Sequence, residues 1–240
     1  MQLVLLSGGS GKRLCPLSNN VRSKQFLPLL EKEDGTIESM VQRVVRQAKA
    51  AGLTNAITLA TNTSQLDIIT NQLGDTVSVV TEPECRDTFP AIALAASYLH
   101  FAKCCADDEV IVIMPCDPYT EADYFETIGK MVECVKRDVA ELVLMGITPT
   151  YPSEKYGYVM PIASDNEYKM VSYFTEKPTV ERAKELLAEN AYWNGGVFAF
   201  RLGYMMNIVK KYIALVQSKG DDAHDIPLYQ SFCELRVFHL

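Results

Sequence analysis

Hydrophobic residues follow two different periods along the first 150 residues of the chain. Short continuous apolar runs alternate with longer segments in which apolar residues recur every three or four positions, so the runs predict buried strands and the longer segments predict amphipathic helices. The predicted strands are residues 3–6, 56–60, 77–81, 110–114 and 142–147, and the predicted helices are residues 38–51, 64–73, 91–103 and 124–137. Alternation of this kind is typical of an α/β fold, an open and mostly parallel sheet flanked by helices.

The pattern changes after residue 150. Residues 156–162 and 170–174 predict an antiparallel pair of strands, followed by a charged helix at 180–189 and a strand at 196–200. No linker, repeat or low-complexity tract separates this part from the rest. We therefore expect a single domain over residues 1–240, in which residues 151–240 form a smaller lobe or an insertion that completes a cleft with residues 1–150.

Composition and charge argue against several classes of protein. The chain is 48% hydrophobic and 22% charged, which is typical of a folded globular protein. Its net charge of −7 argues against partners such as nucleic acid or an anionic membrane, because these are bound by broad positive surfaces. Any phosphate site is therefore expected to be a local positive pocket.

The cysteines and the N-terminal segment bear on the compartment. The seven cysteines are scattered without repeated spacing, which favours reduced thiols in a cytoplasmic protein. Cys104 and Cys105 have no second pair at metal-ligand spacing, so zinc is not expected. The N-terminal apolar run is too short for a signal peptide or a membrane span. We expect a cytoplasmic protein with no membrane partner.

A glycine-rich segment follows the first predicted strand, which ends at Leu6. The segment reads Ser-Gly-Gly-Ser-Gly-Lys-Arg over residues 7–13. Glycines at this position let main-chain N–H groups approach an anion closely, and the basic pair neutralises it, so a phosphate cradle is predicted; an ordinary strand-to-helix turn is the alternative. The P-loop and Gly-x-Gly-x-x-Gly spacings are both absent, which argues against an ATPase or a dehydrogenase. The candidate cradle residues are Gly8, Gly9, Ser10, Gly11 and Arg13.

Two charged residues are candidates for the reacting centre. Lys24 lies in Ser-Lys-Gln-Phe, where a second cation would hold another phosphate of a polyphosphate chain. Asp117 follows the predicted strand 110–114 within Pro-Cys-Asp-Pro, and a carboxylate at the end of a central strand can bind Mg²⁺ that bridges phosphate oxygens. A solvated lysine and a turn aspartate are the plainer alternatives.

The segment Glu-Pro-Glu-Cys-Arg-Asp-Thr-Phe-Pro-Ala, residues 82–91, follows the third predicted strand. Ligands of open α/β sheets collect at such strand ends, and the Glu82 carboxylate is suited to accept hydrogen bonds from N1–H and N2–H of guanine. Asp87 and Thr88 either cap the next helix or bind the ligand directly. The candidate nucleotide-binding residues of this region are Leu6, Glu82, Pro83, Arg86, Asp87 and Thr88.

Three short motifs in the second half are suited to a sugar phosphate. They are Tyr-Gly-Tyr at 156–158, Glu-Lys-Pro at 176–178 and Trp-Asn-Gly-Gly at 193–196. Carboxylate and amide groups suit sugar hydroxyls, a lysine suits the phosphate, and glycines allow the backbone to approach the ring. The candidate residues are Tyr156, Gly157, Glu176, Lys177, Asn194 and Gly195.

Taken together and in this order, the motifs closely resemble those of the mannose-1-phosphate guanylyltransferases, and the match covers residues 1 to about 203. The resemblance implies a GT-A-like fold with a Rossmann-like open mixed sheet, and the reaction of GTP with mannose 1-phosphate to GDP-mannose and pyrophosphate. It also implies that Gly8, Gly9 and Arg13 hold the GTP phosphates, that Lys24 acts in the reacting centre, and that Asp117 binds Mg²⁺. Glu82 would hold the guanine, and a homodimer is possible.

The sequence departs from the family pattern at several positions. The family's usual Asn is Asp87, its usual Ala is Phe89, and Pro118 stands where the family commonly has His. None of Asp221, Asp222 and Asp225 matches the second metal ligand of the family, so we expect a second half that is incomplete at its C-terminus. The alternatives are therefore a non-catalytic nucleotide or sugar-phosphate binding protein, or a related transferase with another base or sugar.

Overall fold

The computed structural model describes residues 1–8, 17–19, 22–83, 88–219 and 235–239, with the backbone alone at 215–219 and 235–239. The strands within this part are β1 (Gln2–Leu6), β2 (Pro28–Glu31), β3 (Ile37–Ser39), β4 (Ile57–Asn62), β5 (Ser78–Glu82), β6 (Val110–Pro115), β7 (Leu142–Ile147), β8 (Tyr158–Pro161), β9 (Tyr168–Thr175), β10 (Tyr192–Arg201) and β11 (Leu235–His239). The helices are α1 (Met40–Ala50), α2 (Leu66–Leu73), α3 (Thr88–Ser97), α4 (Ala122–Lys136), α5 (Val180–Ala188) and α6 (Leu202–Lys219).

Nine strands form one mixed sheet in the order β5-β4-β1-β6-β10-β7-β11-β9-β8. Strands β5, β4, β1 and β6 are mutually parallel, β10 runs antiparallel to β6 and β7, and β11 runs parallel to β7. The predicted α/β open mixed sheet flanked by helices is confirmed. The antiparallel pairing predicted for the second half is also confirmed, because β8 pairs with β9.

Strand β10 links the two halves of the chain. It lies between β6 and β7, and Phe198 pairs with Ile113 on one side and with Leu144 on the other. Alternate β10 residues are buried on opposite faces of the sheet, with Ala199 in one core cluster and Phe200 in the other. The second half therefore contributes its strands to the same sheet as the first half.

Hydrophobic residues on both faces of the sheet explain the continuous apolar runs of the sequence. In β1, Leu3 and Leu5 pack against the side that carries α1, α2 and α4, whereas Val4 packs against the side that carries α3 and α6. A strand covered on both faces gains by burying every side chain, so its sequence does not alternate between apolar and polar residues.

Local signals define the helix that follows the small β2–β3 hairpin. Ser39 caps α1, since its side chain accepts a hydrogen bond from the Gln42 N–H while the Gln42 side chain accepts one from the Ser39 N–H. Such a capping box contributes about 1 kcal/mol to helix stability. Across the part of the chain that the structure describes, the helices are too short or too polar for any of them to cross a membrane.

Candidate functional site

The carboxyl ends of four parallel strands lie at one edge of the sheet. Gly8 follows β1, Glu82 ends β5 and Asp117 follows β6. Because β10 is antiparallel to β6 and β7, its amino end lies at this same edge, where Asn194 pairs with Gly146 near the end of β7. The topology thus gathers candidate residues from both halves of the chain at the place where open α/β sheets bind ligands.

Lys24 and Asp117 form an ion pair between the Lys24 ammonium and Asp117 Oδ2. Lys24 opens a single turn of 3-10 helix, Lys24–Phe26, and its side chain is 38% exposed, against 31% for Asp117. The two predicted reacting-centre residues are therefore in contact, although they are 93 positions apart in the sequence. A pair with this exposure remains accessible to a ligand.

Glu82 is a buried carboxyl group, only 5% exposed, at the end of β5. Burial raises the pKa of Glu82, because a charged carboxylate loses solvation there. Its Oε1 lies 3.6 Å from the position that a Cβ on Gly8 would occupy. The carboxyl group therefore lies beside the first residue of the glycine-rich segment and is suited to accept hydrogen bonds from a ligand bound there.

The loop after Asp117 is held from α1 by two side chains that the sequence analysis did not identify. Arg43 Nη2 and Gln47 Nε2 both donate hydrogen bonds to the Thr120 carbonyl oxygen, at 3.3 and 3.1 Å. The Arg43 guanidinium also lies 4.5 Å from the centre of the Tyr119 ring. These contacts fix the main chain three residues beyond Asp117. Arg43 and Gln47 are four residues apart in the sequence, which places them on one face of a helix. Nothing in the sequence indicates that this face contacts the loop at Thr120.

In the second half, Glu176 and Asn194 flank Gly157. A Cβ on Gly157 would lie 2.6 Å from Glu176 Oε2 and 3.6 Å from the Asn194 Cβ. The Asn194 N–H donates to the Gly157 carbonyl oxygen at 2.8 Å. The three motifs of the second half therefore meet, and glycine at 157 leaves the space that the Glu176 carboxylate occupies.

A bulge in β10 lies next to this cluster, between Asn194 and Phe198. Asn194 Oδ1 accepts a hydrogen bond from the Gly196 N–H at 3.0 Å, and Gly196 has a φ of +68°, a conformation that favours glycine. A Cβ on Gly196 would lie 4.0 Å from Pro115, two residues before Asp117. Gly195 packs against β7, where a Cβ would lie 2.9 Å from the Met145 carbonyl oxygen. Gly195 thus has a packing role whether or not it also contacts a ligand.

Two further candidates of the second half border this cluster. Lys177 adopts the left-handed conformation with a φ of +42°, and its ammonium lies 3.2 Å from Glu176 Oε1. The Tyr156 ring lies 4.7 Å from the Trp193 ring, and the Trp193 indole N–H is buried without a hydrogen-bond partner among the described residues. The two aromatic rings therefore pack against each other beside Gly157 and Asn194, which follow them in the chain.

The remaining predicted residues fall into two groups. Leu6 ends β1, Pro83 follows β5 with an exposed side chain, and Thr88 is the first residue of α3. The predicted residues that lie outside the described part of the chain are Gly9, Ser10, Gly11, Arg13, Arg86, Asp87, Asp221, Asp222 and Asp225. Among the described residues, no group of three or more His, Cys, Asp or Glu side chains is suited to hold a metal ion.

Comparison with known proteins gives a consistent result. The chain is 33% identical over 217 residues to the alginate biosynthesis protein AlgA of Pseudomonas syringae pv. tomato, covering 87% of this chain and 43% of that protein. It is 33% identical over 205 residues to a mannose-1-phosphate guanylyltransferase of Sinorhizobium fredii, covering 82% of this chain and 38% of that protein. The chain thus spans less than half the length of these relatives.

Solved structures share the fold. A Thermus thermophilus protein described as a mannose-1-phosphate geranyltransferase superposes with a TM-score of 0.78 at 24% identity, covering 99% of this chain and 73% of that one. The nucleotidyl transferase family profile matches residues 2–227, which is nearly the whole chain. The chain therefore belongs to the nucleotidyl transferase family.

Proposed function

We propose that the chain transfers a guanylyl group from GTP to mannose 1-phosphate, forming GDP-mannose and pyrophosphate. The observation that carries the proposal is the Lys24–Asp117 ion pair, because it brings together the cation proposed to bind phosphate and the carboxylate proposed to bind the metal ion. The name of one relative, the mannose-1-phosphate guanylyltransferase of Sinorhizobium fredii, supports the choice of base and sugar.

The nucleotide would lie between β1 and β5. Gly8 is suited to present its main-chain N–H to a phosphate, with Gly9, Ser10, Gly11 and Arg13 proposed from the sequence to extend the cradle. Glu82 would accept hydrogen bonds from the guanine edge. Burial of Glu82 would strengthen these hydrogen bonds to guanine, because a buried carboxylate without a partner is costly. Pro83, Arg86, Asp87 and Thr88 would border the base or ribose.

Mg²⁺ is the proposed cofactor, and Asp117 is the residue that would hold it. Mg²⁺ prefers oxygen ligands and is often held by one or two carboxylates together with substrate phosphates and water, so a single exposed carboxylate fits. The Asp117 side chain is 31% exposed beside Lys24, so it remains accessible to a cation. When bound there, the ion would neutralise charge on phosphate oxygens.

Mannose 1-phosphate would lie over the second-half cluster. Glu176 and Asn194 would bind sugar hydroxyls, Lys177 the phosphate, and Gly157 would let the ring approach the backbone. Tyr156 would border the sugar through its ring, and Gly195 would keep β10 close to β7. The bulge at Gly196 supports this location, because the Gly196 N–H donates a hydrogen bond to Asn194 and a Cβ on Gly196 would lie 4.0 Å from Pro115, two residues before Asp117.

The proposed chemistry is an in-line displacement at phosphorus. A phosphate oxygen of the sugar phosphate forms a bond to the α-phosphorus of GTP, while the bond from that phosphorus to the β-bridging oxygen breaks. Pyrophosphate leaves with the electron pair, and one anhydride replaces another. Lys24 would stabilise the charge on the phosphate oxygens, and the cradle and Glu82 would align the nucleotide, so positioning and electrostatics supply the catalysis.

The proposed compartment is the cytoplasm, which the cysteines support. Among the described residues, Cys104, Cys105 and Cys116 are thiols outside any disulfide. Burial raises the pKa of the Cys116 thiol to about 12, which keeps this neighbour of Asp117 protonated and unreactive.

The test is pyrophosphate release from the purified 240-residue chain with Mg²⁺, mannose 1-phosphate and each nucleoside triphosphate in turn. Release with GTP and with no other triphosphate supports the proposal, and release with another triphosphate assigns a different base. Saturable GTP binding without release would instead identify a non-catalytic binding protein.

A further inference from the structure

Five polar side chains form a buried cluster beneath the ligand-binding edge, where β1 and β4 end. Each is at most 3% exposed. They come from three separate segments, which are the end of β1, the segment around Lys24, and the end of β4 with the turn that follows it. Buried polar groups are costly unless they are paired, so a cluster of this size is maintained by its hydrogen bonds. The members are Ser7, Ser23, Gln25, Thr61 and Gln65.

Gln65 is the centre of this buried cluster. Its Oε1 accepts hydrogen bonds from Thr61 Oγ1 at 2.6 Å and from Ser7 Oγ at 3.3 Å, and its Nε2 donates to Ser23 Oγ at 2.6 Å. Gln25 Nε2 donates to Ser7 Oγ at 2.9 Å. The donors and acceptors therefore form one continuous directed network, in which each bond polarises the next.

The buried cluster joins the neighbours of the proposed phosphate-binding groups. Ser7 precedes Gly8, Ser23 and Gln25 stand on either side of Lys24, and the Ser7 hydroxyl also hydrogen-bonds the Cys116 side chain, which precedes Asp117. None of the five side chains belongs to the groups proposed above to contact the substrates. A shift of Gln65 would move the main chain at Gly8 and at Lys24 together.

We propose that Gln65 is a positioning residue, which sets the distance between the Gly8 N–H and the Lys24 ammonium and so fits both to a triphosphate. The inference rests on the proposed function, because it assumes that these two groups bind phosphate. A neutral amide is suited to the position since it accepts from two hydroxyls and donates to a third. A charged or apolar side chain of similar size lacks one of these capacities.

The experiment compares Gln65→Met with a matched variant in the same helical region, Gln72→Met. Gln72 lies on α2, accepts from Ser39 Oγ at 2.7 Å and donates to the Phe26 carbonyl oxygen at 2.8 Å. It thus binds the same segment as Gln65, but contacts neither Ser7 nor Ser23. Both changes replace an amide with an apolar side chain of similar volume. Ser23→Ala is the third variant, since it removes a single oxygen of the buried cluster and disturbs packing least.

The measurements are thermal unfolding and the affinity for GTP with Mg²⁺ by calorimetry, at a temperature where every variant is folded. We expect Gln65→Met to weaken GTP binding about tenfold, and Ser23→Ala to weaken it about threefold. Gln72→Met should lower the midpoint of thermal unfolding about as much as Gln65→Met does, but it should leave GTP affinity unchanged. In the turnover assay, Gln65→Met should lower kcat without changing KM for mannose 1-phosphate.

Equal loss of GTP affinity in Gln65→Met and Gln72→Met would assign Gln65 a general structural role and overturn the inference. Unchanged affinity in Gln65→Met and Ser23→Ala would overturn it as well, even if the unsubstituted chain is active, and would leave the proposed function intact. If the unsubstituted chain binds no nucleoside triphosphate, the proposed function fails, and the inference fails with it.

Discussion

The Lys24 ammonium contacts Asp117 Oδ2, so a cation suited to phosphate and a carboxylate suited to a metal ion neutralise each other. Each side chain is about one third exposed, and an exposed ion pair contributes at most about 1 kcal/mol to stability. The pair is therefore easily separated when a triphosphate and a cation offer each member a stronger partner.

Replacement of Asp117 should lower the catalytic rate and leave the stability of the fold nearly unchanged. We expect Asp117→Asn to lower the rate of pyrophosphate release by at least about 100-fold, on the scale of losing one electrostatic stabiliser. The midpoint of thermal unfolding should change little, because the lost ion pair is exposed.

Asp138→Asn provides the control for this prediction. Asp138 pairs with Arg201 at 2.8 Å, and Arg201 lies opposite Val110 at the start of β6, whereas Asp117 follows the end of β6. The left-handed backbone at Asp138 tolerates asparagine. Turnover should be unchanged in this variant. A near-normal rate in Asp117→Asn would contradict the role proposed for Asp117.

Glu82→Gln should increase stability at neutral pH and reduce the preference for GTP. Because burial raises the pKa of folded Glu82, the folded chain binds this proton more tightly than the unfolded chain does. Stability is therefore lost as pH rises from the ordinary value of about 4.3 through the raised folded value. Glutamine avoids that loss, but it replaces an acceptor oxygen with an N–H donor, so the guanine contacts weaken. Thermal unfolding from about pH 4 to 8 and binding of GTP against ATP measure the two effects.

A second buried carboxylate gives the opposite expectation. Glu38 is also buried but is paired with Arg46, through bonds of 2.6 and 3.1 Å. Glu38→Gln should therefore lower stability near neutral pH, because it removes one side of a charge-assisted pair. If both glutamine variants shift stability in the same direction, burial is not the dominant influence on Glu82.

Alanine at two glycines of the second half should have different consequences. In Gly157→Ala the Cβ would displace the flexible end of Glu176, since the separation is only 2.6 Å. We expect KM for mannose 1-phosphate to rise with little change in stability. In Gly195→Ala the Cβ would meet the Met145 carbonyl oxygen at 2.9 Å, and the backbone cannot yield easily. That variant should be destabilised by about 1–3 kcal/mol.

Gly129→Ala is the matched control for these two changes. Gly129 lies within α4, and a Cβ there would make an ordinary contact of 3.9 Å with Leu53. Stability should rise by about 1 kcal/mol with unchanged KM, since alanine is the better helix former. Equal KM values for Gly157→Ala and the unsubstituted chain would argue against a sugar-binding role for Glu176.

The parts of the site that follow strands are those that the sequence predicts. Glu82 and Asp117 lie at the carboxyl ends of predicted strands, and the carboxyl ends of parallel strands share an edge of the sheet, so the local pattern is sufficient to place both residues at that edge. The position of β10 between β6 and β7 is not predictable in this way, because the apolar pattern identifies strands but contains no information on which strands pair. Gln65 has no signal either, since a polar residue at a helix start is ordinarily exposed.

Lys177 offers a test of whether backbone strain and charge act separately at the proposed sugar-phosphate site. Its φ of +42° is costly for a residue with a Cβ and costs glycine nothing. Lys177→Gly and Lys177→Ala should therefore raise KM for mannose 1-phosphate by the same factor, about tenfold, because both lose the ammonium group that would hold the phosphate. The glycine variant should nevertheless be more stable than the alanine variant by about 1 kcal/mol.

Asn190, with a φ of +63°, supplies the comparison, since Asn190→Gly should gain stability and leave KM unchanged. An unchanged KM in both Lys177 variants would show that the residue serves only the turn, and a large difference in KM between them would show that backbone strain, rather than charge, sets affinity for the sugar phosphate.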